Sequence, residues 1–191
     1  MLILLALACG TETIDETPED SVPEVEAPTP PEPEAYSGGG DCPGLNAVIR
    51  AVVRTATLRY QADVFGIADG FRGLLQPPSL WPLTPDDVRG LGRRGGTILG
   101  TSRTNPYEGV RGGADNISKT LYGHRIDGIL AIGGEGTLAA ADRLSKDGIN
   151  VLGVPKTIDN DLYGTDITFG FQTAVSVATE ALDRVHSTAA S

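Results

Sequence analysis

Two carboxylates stand one residue apart, beside an amine and a hydroxyl, in segment 155–161 (PKTIDND). A carboxylate can accept the proton of an attacking hydroxyl, while cations and backbone dipoles stabilise the charge on a phosphoryl group in transfer. Lys156, Thr157, Asp159 and Asp161 are therefore candidates for phosphoryl-transfer chemistry. Taken singly, each aspartate is more often a turn or helix-capping residue.

Two glycine-rich segments could hold phosphates. Segment 37–44 (SGGGDCPG) runs directly into a predicted helix, whose first N–H groups point outward and carry the positive end of the helix dipole. Segment 132–137 (IGGEGT) repeats this arrangement after the most apolar strand candidate, and its Glu135 could hold a Mg²⁺ that bridges phosphate oxygens. The alternatives are a solvent-exposed turn for the first segment and a simple helix N-terminal acid for Glu135.

The elements that must position these segments alternate between helix and strand after residue 37. Apolar spacing and capping residues predict helices over 45–58, 85–91, 115–123, 137–147 and 173–186. Short apolar runs predict strands over 64–68, 126–132 and 150–154. This order is typical of an α/β fold, a three-layer, Rossmann-like parallel sheet with helices on both faces. Parallel strands end at one edge, where ligands bind, so the candidate segments are expected to meet there.

Charge and cysteine content bound the class of protein. The formal net charge is −10, but nine of the acidic residues lie between Thr11 and Glu34, where there is no Lys or Arg. The negative net charge argues against nucleic-acid binding, but its uneven placement means that it says little about the folded part. The acidic, Pro-rich segment 10–36 is predicted to be a disordered linker. The only cysteines, Cys9 and Cys42, form neither a disulfide framework nor a zinc motif, so the folded part is expected to be cytoplasmic.

Residues 1–9 form a short apolar run that ends at Cys9 and resembles the end of a bacterial lipoprotein leader. It lacks a basic beginning and a long apolar core, and it is too short to span a bilayer. Two interpretations stay open. Either the protein is a lipoprotein anchored to a membrane through Cys9, or this start was joined from another reading frame.

The three phosphate-compatible segments and the sequence between them resemble the 6-phosphofructokinase family. The resemblance covers residues 37–191 almost without interruption. It rests on motifs at 39–50 (GGDCPGLNAVIR), 70–74 (GFRGL), 95–103 (GGTILGTSR), 133–137 (GGEGT), 155–161 (PKTIDND) and 169–174 (FGFQTA). A partial phosphofructokinase nucleotide-binding domain over 37–191 is implied, and with it the glycolytic transfer of a phosphoryl group from ATP to the 1-hydroxyl of fructose 6-phosphate.

The resemblance also implies roles for individual residues. Asp159 would be the base, while Thr157 and Asp161 would contact the sugar phosphate and assist the chemistry, and Glu135 would be the Mg²⁺ ligand. The nucleotide would be held by Gly40, Arg103, Thr104, Gly134, Glu135, Gly136 and Thr137. A further set, Arg50, Arg54 and Arg94, matches positions that form an effector site in allosteric bacterial members, the alternative being ordinary solvated arginines.

The phosphoryl donor depends on two positions. Gly136 leaves room for the α-phosphate of ATP, where pyrophosphate users of the family tend to carry Asp. Lys156 points the other way, since ATP users of the common bacterial type have Gly there. The pair resembles a mixed subgroup that is ATP-dependent, so ATP is the expected donor and pyrophosphate the alternative. A non-catalytic, lipid-anchored nucleotide-binding module is the other alternative.

Two departures from the family predict an incomplete enzyme. The Pro-rich residues 31–36 stand where family members have the apolar strand that leads into the first glycine segment, so the sheet is expected to lack that strand. The sequence also stops at Ser191, before a Met-Gly-Arg substrate segment and the rest of the second domain. The sugar-phosphate site is then expected to lack most of its cations, and this fragment is not expected to form the homo-oligomers of the family.

Overall fold

The computed structural model of the chain describes residues 2–9, 42–75, 77–109 and 112–189. The strands are β1 (Leu2–Cys9), β2 (Ala62–Ile67), β3 (Leu80–Pro82), β4 (Gly128–Gly133) and β5 (Val151–Pro155). The α-helices are α1 (Leu45–Tyr60), α2 (Ala114–Gly123), α3 (Glu135–Lys146) and α4 (Phe171–Ala189). Short 3₁₀ turns cover Gly70–Leu74 and Leu91–Arg93. The predicted linker over 10–36 and the predicted ligand Gly40 lie outside the described residues.

The strands form one sheet in the order β3-β2-β1-β4-β5. β4 and β5 are parallel, whereas β1 is antiparallel to both of its neighbours, β2 and β4. β2, β4 and β5 consequently share one direction, as the sequence predicts for a parallel sheet, and β1 and β3 run against them. The carboxyl ends of β2, β4 and β5 lie at the same edge of the sheet, which we call the carboxyl edge.

The expected gap in the sheet is filled from an unexpected place. Leu2 pairs with Gly133 and Cys9 pairs with Ala62, so the apolar start of the chain lies between β2 and β4. The prediction of a missing strand is wrong, because strand pairing is non-local and the strand comes from the start of the chain, not from the residues just before the glycine segment. The lipoprotein interpretation of residues 1–9 stays a prediction.

Alternating residues of β4 divide the core into two layers. Leu130 and Ile132 face α1, which buries Leu45, Ile49 and Val53 completely. Ile129 and Ala131 face the opposite side, where α2 and α3 contribute the buried residues Ile117, Leu121, Ala141 and Leu144. Full burial of a Leu or Ile side chain contributes about 1.5–3 kcal/mol. The predicted three-layer α/β architecture is confirmed.

Segment 85–91 is not the regular helix that the sequence predicts. The cap itself forms, since the Thr84 N–H and hydroxyl donate to Asp87 Oδ2 over 2.7 and 2.6 Å. Turns follow through Gly90, whose positive φ of 77° ends any helical run before the 3₁₀ turn at Leu91–Arg93. The predicted cap at Thr84 is therefore present. A helix does not follow it, because only Val88 of residues 85–90 is buried against the core.

α4 differs from the other helices because its apolar stripe has no packing partner among the described residues. Val175, Leu182 and Val185 lie at helical spacing on one side and are all exposed. None of the described helices combines the length and the apolar character needed to cross a membrane.

Candidate functional site

The loops after β4 and β5 lie against each other at the carboxyl edge. The Lys156 N–H donates to Gly133 O over 2.8 Å, which extends the parallel pairing by one residue. A side chain on Gly134 would begin 3.4 Å from Lys156 O, so the backbones are in near contact. The structure thus brings two of the three predicted segments together, as expected for the ends of neighbouring parallel strands.

The start of α3 is arranged to receive an anion. Gly134 precedes the helix, and Leu138 N–H is the first to close a helical hydrogen bond, to Gly134 O over 3.0 Å. The preceding N–H groups have no partner within the helix and carry the positive end of its dipole. Thr137 is buried in this turn, while Glu135 and Gly136 are exposed, and a Cβ at Gly136 would meet nothing within 4 Å.

A cavity of about 420 Å³ opens beside this helix start. Four of the predicted nucleotide ligands, Arg103, Thr104, Gly136 and Thr137, line it together. They come from two segments more than 30 residues apart in the sequence, and the fold brings these segments to one space. The remaining lining residues are Phe71, Ser102, Asn105, Pro106, Tyr107, Ala139, Ala140 and Arg143.

The segment that carries Arg103 is fixed by contacts with Asp69, the residue just before the motif at 70–74. Asp69 donates its N–H to Leu99 O over 2.8 Å and accepts the Ser102 hydroxyl at its carbonyl. The Asp69 carboxylate pairs with Arg72, and it lies so close to Gly100, at φ 66°, that any side chain at Gly100 would collide with it. The two motifs therefore form one rigid wall of the cavity.

A second wall consists of residues that sequence reasoning missed. The Tyr107 hydroxyl donates to Asp147 Oδ2 over 2.6 Å, and the Arg143 guanidinium carbon lies 3.6 Å from the centroid of the Tyr107 ring. Burial raises the pKa of Tyr107 to about 12, assisted by the hydrogen bond to Asp147 and its negative charge. The phenol is therefore a protonated donor throughout the neutral range. No local sequence signal links residues 40 positions apart.

The predicted catalytic residues lie on the loop after β5 and do not line the cavity. Lys156 and Thr157 are buried, whereas Asp159 and Asp161 are exposed. The Asp159 N–H donates to Thr157 Oγ1 over 3.2 Å. The loop is therefore buried at its beginning, at Lys156 and Thr157, and its two carboxylates face solvent.

Thr168 stabilises this loop through hydrogen bonds, a role that the sequence did not predict. The Thr168 hydroxyl donates to Thr157 O over 2.7 Å, and its N–H donates to Asn160 Oδ1 over 2.8 Å. Asn160 has a positive φ of 55°, which Asn tolerates better than most residues. These bonds fix the backbone on both sides of Asp159.

The end of the first glycine segment reaches the same edge. The Cys42 thiol donates to Phe169 O over 3.6 Å. Gly170, at φ 96°, approaches so closely that a Cβ there would lie 2.5 Å from Pro43 O. This contact explains why glycine stands at 170, and it places residues 42–44 beside the loop that follows β5.

Glu135 fits the predicted magnesium site by its chemistry. Its carboxylate is exposed in the first turn of α3, beside helix N–H groups that can hold phosphate. Within the described ranges, no three His, Cys, Asp or Glu side chains are grouped to hold a metal by themselves. Mg²⁺ commonly takes one or two protein carboxylates and completes its shell with phosphates and water, and one exposed acid at a phosphate-binding turn suits that habit.

The arginines of the predicted effector site lie apart from the cavity. Asn46, one turn before Arg50 on α1, donates its amide to Arg94 O over 3.2 Å and to Gly95 O over 3.0 Å. Arg50 Cδ would lie 3.8 Å from a Cβ on Gly92, and Arg54 follows one turn later on α1. The structure thus brings Arg50 beside the backbone of residues 92–95.

Comparisons with known proteins agree on the family. The family described as Phosphofructokinase matches residues 35–191. The pyrophosphate–fructose 6-phosphate 1-phosphotransferase of Amycolatopsis mediterranei is 58% identical over 155 residues, which cover 81% of this chain and 45% of that enzyme. The ATP-dependent 6-phosphofructokinase of Mycobacterium tuberculosis is 55% identical over the same shares. The chain thus spans a little under half the length of these relatives.

Solved structures show the same likeness. The phosphofructokinase of Pichia pastoris superposes with a TM-score of 0.68 at 33% identity, over 77% of this chain and 17% of that one. The pyrophosphate-dependent phosphofructokinase of Marinobacter aquaeolei gives 0.62 at 25% identity, over 76% and 39%. These agreements confirm the partial phosphofructokinase fold that the sequence motifs predict.

Proposed function

Because the chain belongs to the phosphofructokinase family, we propose that it carries the phosphoryl-donor side of a 6-phosphofructokinase and binds ATP. The reaction is transfer of a phosphoryl group to the 1-hydroxyl of fructose 6-phosphate. The cavity in which Arg103 and Thr104 meet Gly136 and Thr137 carries the proposal. Its volume of about 420 Å³ lies in the range of small-molecule sites.

Charge and shape support a nucleotide in this cavity. The N–H groups at the start of α3 and the Arg103 guanidinium suit the phosphates, because both favour negative charge. The opposite wall of Tyr107 and Arg143 offers a flat, partly apolar surface on which a base can stack. ATP fits this division into a polar and an aromatic end.

The catalytic steps proposed for this chain rest on the loop after β5. Asp159 accepts the proton of the sugar hydroxyl as that oxygen attacks the terminal phosphorus, while Thr157 and Asp161 orient the sugar phosphate. The bonds from Thr168 support this role, because they hold the backbone around Asp159. When bound at Glu135, Mg²⁺ supplies neutralising charge for the phosphate oxygens.

The choice of donor is the finer part of the proposal. Pyrophosphate is the second candidate, since relatives named for each donor resemble the chain to a similar degree. The extent of the cavity favours ATP, because it continues from Gly136 to Tyr107 and Arg143, beyond the reach of two phosphate groups. The open space at Gly136 supports the same choice, since no side chain occupies the volume beside the phosphate-binding turn.

Equilibrium binding of MgATP and of magnesium pyrophosphate to the full chain tests the donor. We expect saturable ATP binding that is weakened by Arg103→Ala and unaffected by Arg89→Ala, a matched loss of charge outside the cavity. Binding of pyrophosphate without binding of ATP would overturn the donor assignment.

We also propose a cytoplasmic protein that assembles with further copies when the complete enzyme is formed. The position of Leu2–Cys9 supports the cytoplasmic assignment, because cleavage of a leader before Cys9 would remove almost all of β1 from the sheet. Mass spectrometry of the intact amino terminus tests it. A diacylglycerol-modified Cys9 would instead favour the lipid-anchored, non-catalytic module.

A further inference from the structure

The contact between Tyr107 and Asp147 joins two elements that flank the cavity. Tyr107 follows the buried Pro106 in the segment that carries Arg103, and Asp147 follows the last residue of α3. The 2.6 Å bond from the Tyr107 hydroxyl to Asp147 Oδ2 spans 40 residues of sequence. It therefore connects the segment 103–109, at Tyr107, to the carboxyl-terminal end of α3.

Arg143 marks the end of the cavity that lies farthest from the phosphate-binding turn. The cavity face of α3 carries Gly136, Ala139, Ala140 and Arg143, at the spacing of residues on one side of a helix. The first three are small, so the face is open until Arg143. A separation of seven residues corresponds to about 10 Å along a helix axis, too far for the two phosphates of a pyrophosphate anchored at Gly136.

The Tyr107 ring decides where the Arg143 guanidinium lies. At 3.6 Å from the ring centroid, the guanidinium is in stacking contact with the ring, which limits an otherwise flexible side chain. The ring is in turn held at its hydroxyl by Asp147, which touches neither the cavity nor the phosphate-binding residues. Asp147 does not line the cavity, so its contact with the cavity wall runs through Tyr107 and Arg143.

We propose that Asp147 is a positioning residue for the nucleoside end of the donor: it fixes Tyr107, which fixes Arg143 as the far wall of the cavity. This inference rests on the proposed binding of ATP at the same site. It predicts that Asp147 contributes to nucleotide binding and contributes nothing to the binding of phosphate groups alone. Selectivity for a nucleoside triphosphate over an inorganic polyphosphate would then depend on this residue.

The test compares MgATP with magnesium tripolyphosphate, which has the same phosphate chain but no nucleoside. Asp147→Ala is expected to raise the Kd of ATP about fivefold, the effect of one lost hydrogen bond, and to leave the Kd of tripolyphosphate unchanged. Tyr107→Phe, which keeps the ring, is expected to do the same. The double variant should be no worse than either single variant, because both remove one contact.

Two further variants separate positioning from a general structural effect. Asp147→Asn keeps an acceptor oxygen for the Tyr107 hydroxyl and should restore most of the ATP affinity. Asp142→Ala removes a carboxylate of α3 that pairs with Lys146 away from the cavity, and it should change neither Kd. Asp147 is exposed, so its removal is not expected to prevent folding.

Each remaining outcome has one meaning. Equal weakening of ATP and tripolyphosphate by Asp147→Ala, or no weakening of ATP, overturns the inference and leaves the proposed function standing. Failure of the unmodified chain to bind ATP while it binds tripolyphosphate overturns both the donor assignment and the inference.

Discussion

The cavity beside α3 and the loop after β5 lie at the same edge of the sheet, yet the chain packs around them very differently. Around the cavity, Phe71, Pro106 and Thr137 are buried, and hydrogen bonds from Ser102 to Asp69 and from Tyr107 to Asp147 fix both walls. Beyond Thr157, by contrast, Leu162 is buried but several other large apolar side chains are not. Ile158, Tyr163 and Ile167 are exposed, as is the stripe of α4.

This difference in packing separates a region that is expected to bind its ligand alone from one that is expected to need further contacts. The donor side has a defined cavity, a helix start and an arginine segment held by hydrogen bonds, so we expect it to bind its ligand as it stands. On the proposed acceptor side, Thr168 holds the backbone around Asp159, but Asp159 and Asp161 are exposed and α4 has an exposed apolar face. We expect sugar-phosphate binding to need additional contacts on that face.

Removing the same side chain from the two regions should have the largest and most unequal effect. Leu74 is 0% exposed beneath the cavity wall and Leu182 is 70% exposed on α4. We expect Leu74→Ala to lower the free energy of unfolding by about 2–5 kcal/mol, and Leu182→Ala to change it by less than about 0.5 kcal/mol. Urea denaturation followed by circular dichroism measures both. A comparable loss for Leu182→Ala would show that α4 is packed in solution.

Loss of the phosphate-binding charge should break the donor side without unfolding it. Arg103 is exposed on the cavity wall, and charge-assisted hydrogen bonds to phosphate contribute about 1.5–3 kcal/mol. We expect Arg103→Ala to weaken ATP and tripolyphosphate alike, by at least about tenfold, in isothermal titration. If only ATP were weakened, Arg103 would belong to the nucleoside end of the cavity.

Filling the space at Gly136 should change the selectivity of the donor side. An aspartate fits without collision and suits the first turn of α3, so the fold should be kept. Its charge would face the phosphates of ATP, and we expect Gly136→Asp to weaken ATP about tenfold while affecting pyrophosphate less. Gly136→Ala is the control for bulk without charge. Unchanged ATP binding in both variants would place the phosphates elsewhere.

The smallest expected effect concerns the wall that holds Tyr107. Its pKa is about 12 in the folded protein and 10 without the fold, so the neutral phenol is favoured by folding. That contribution is fully present below pH 10 and is lost as the pH rises towards 12. The stability difference between the unmodified chain and Tyr107→Phe, measured by urea denaturation, should therefore shrink over this interval. A constant difference would mean that the hydrogen bond is absent in solution.

The sequence predicted the elements that depend on local pattern. The observed bounds lie within two residues of the predicted ones for α1, α3 and β4. The first two were predicted from their apolar stripes and β4 from its buried apolar run. Two segments were brought together as topology requires, because parallel neighbours such as β4 and β5 end at one edge. The lining of the cavity was predicted only in part, from Arg103, Thr104, Gly136 and Thr137.

Contacts between distant residues account for the misses. β1 was not predicted as a strand, because its partners Ala62 and Gly133 are far away in the sequence. Tyr107, Arg143 and Asp147 belong to elements whose approach is set by the whole sheet, and Thr168 braces a loop that begins eleven residues earlier. The prediction of a short helix over 85–91 was wrong for the opposite reason: the local capping signal was good, but packing against the core did not support a helix.

The reversed direction of β1 has a practical consequence for handling this protein. Leu2 pairs with Gly133, the last residue before the turn that opens α3. Any affinity tag or fusion partner attached ahead of Leu2 would therefore emerge at the rim of the donor cavity, whereas in a sheet with a parallel first strand it would emerge at the opposite edge. Carboxyl-terminal tags, or cleavable amino-terminal ones, are the better choice for every binding measurement described above.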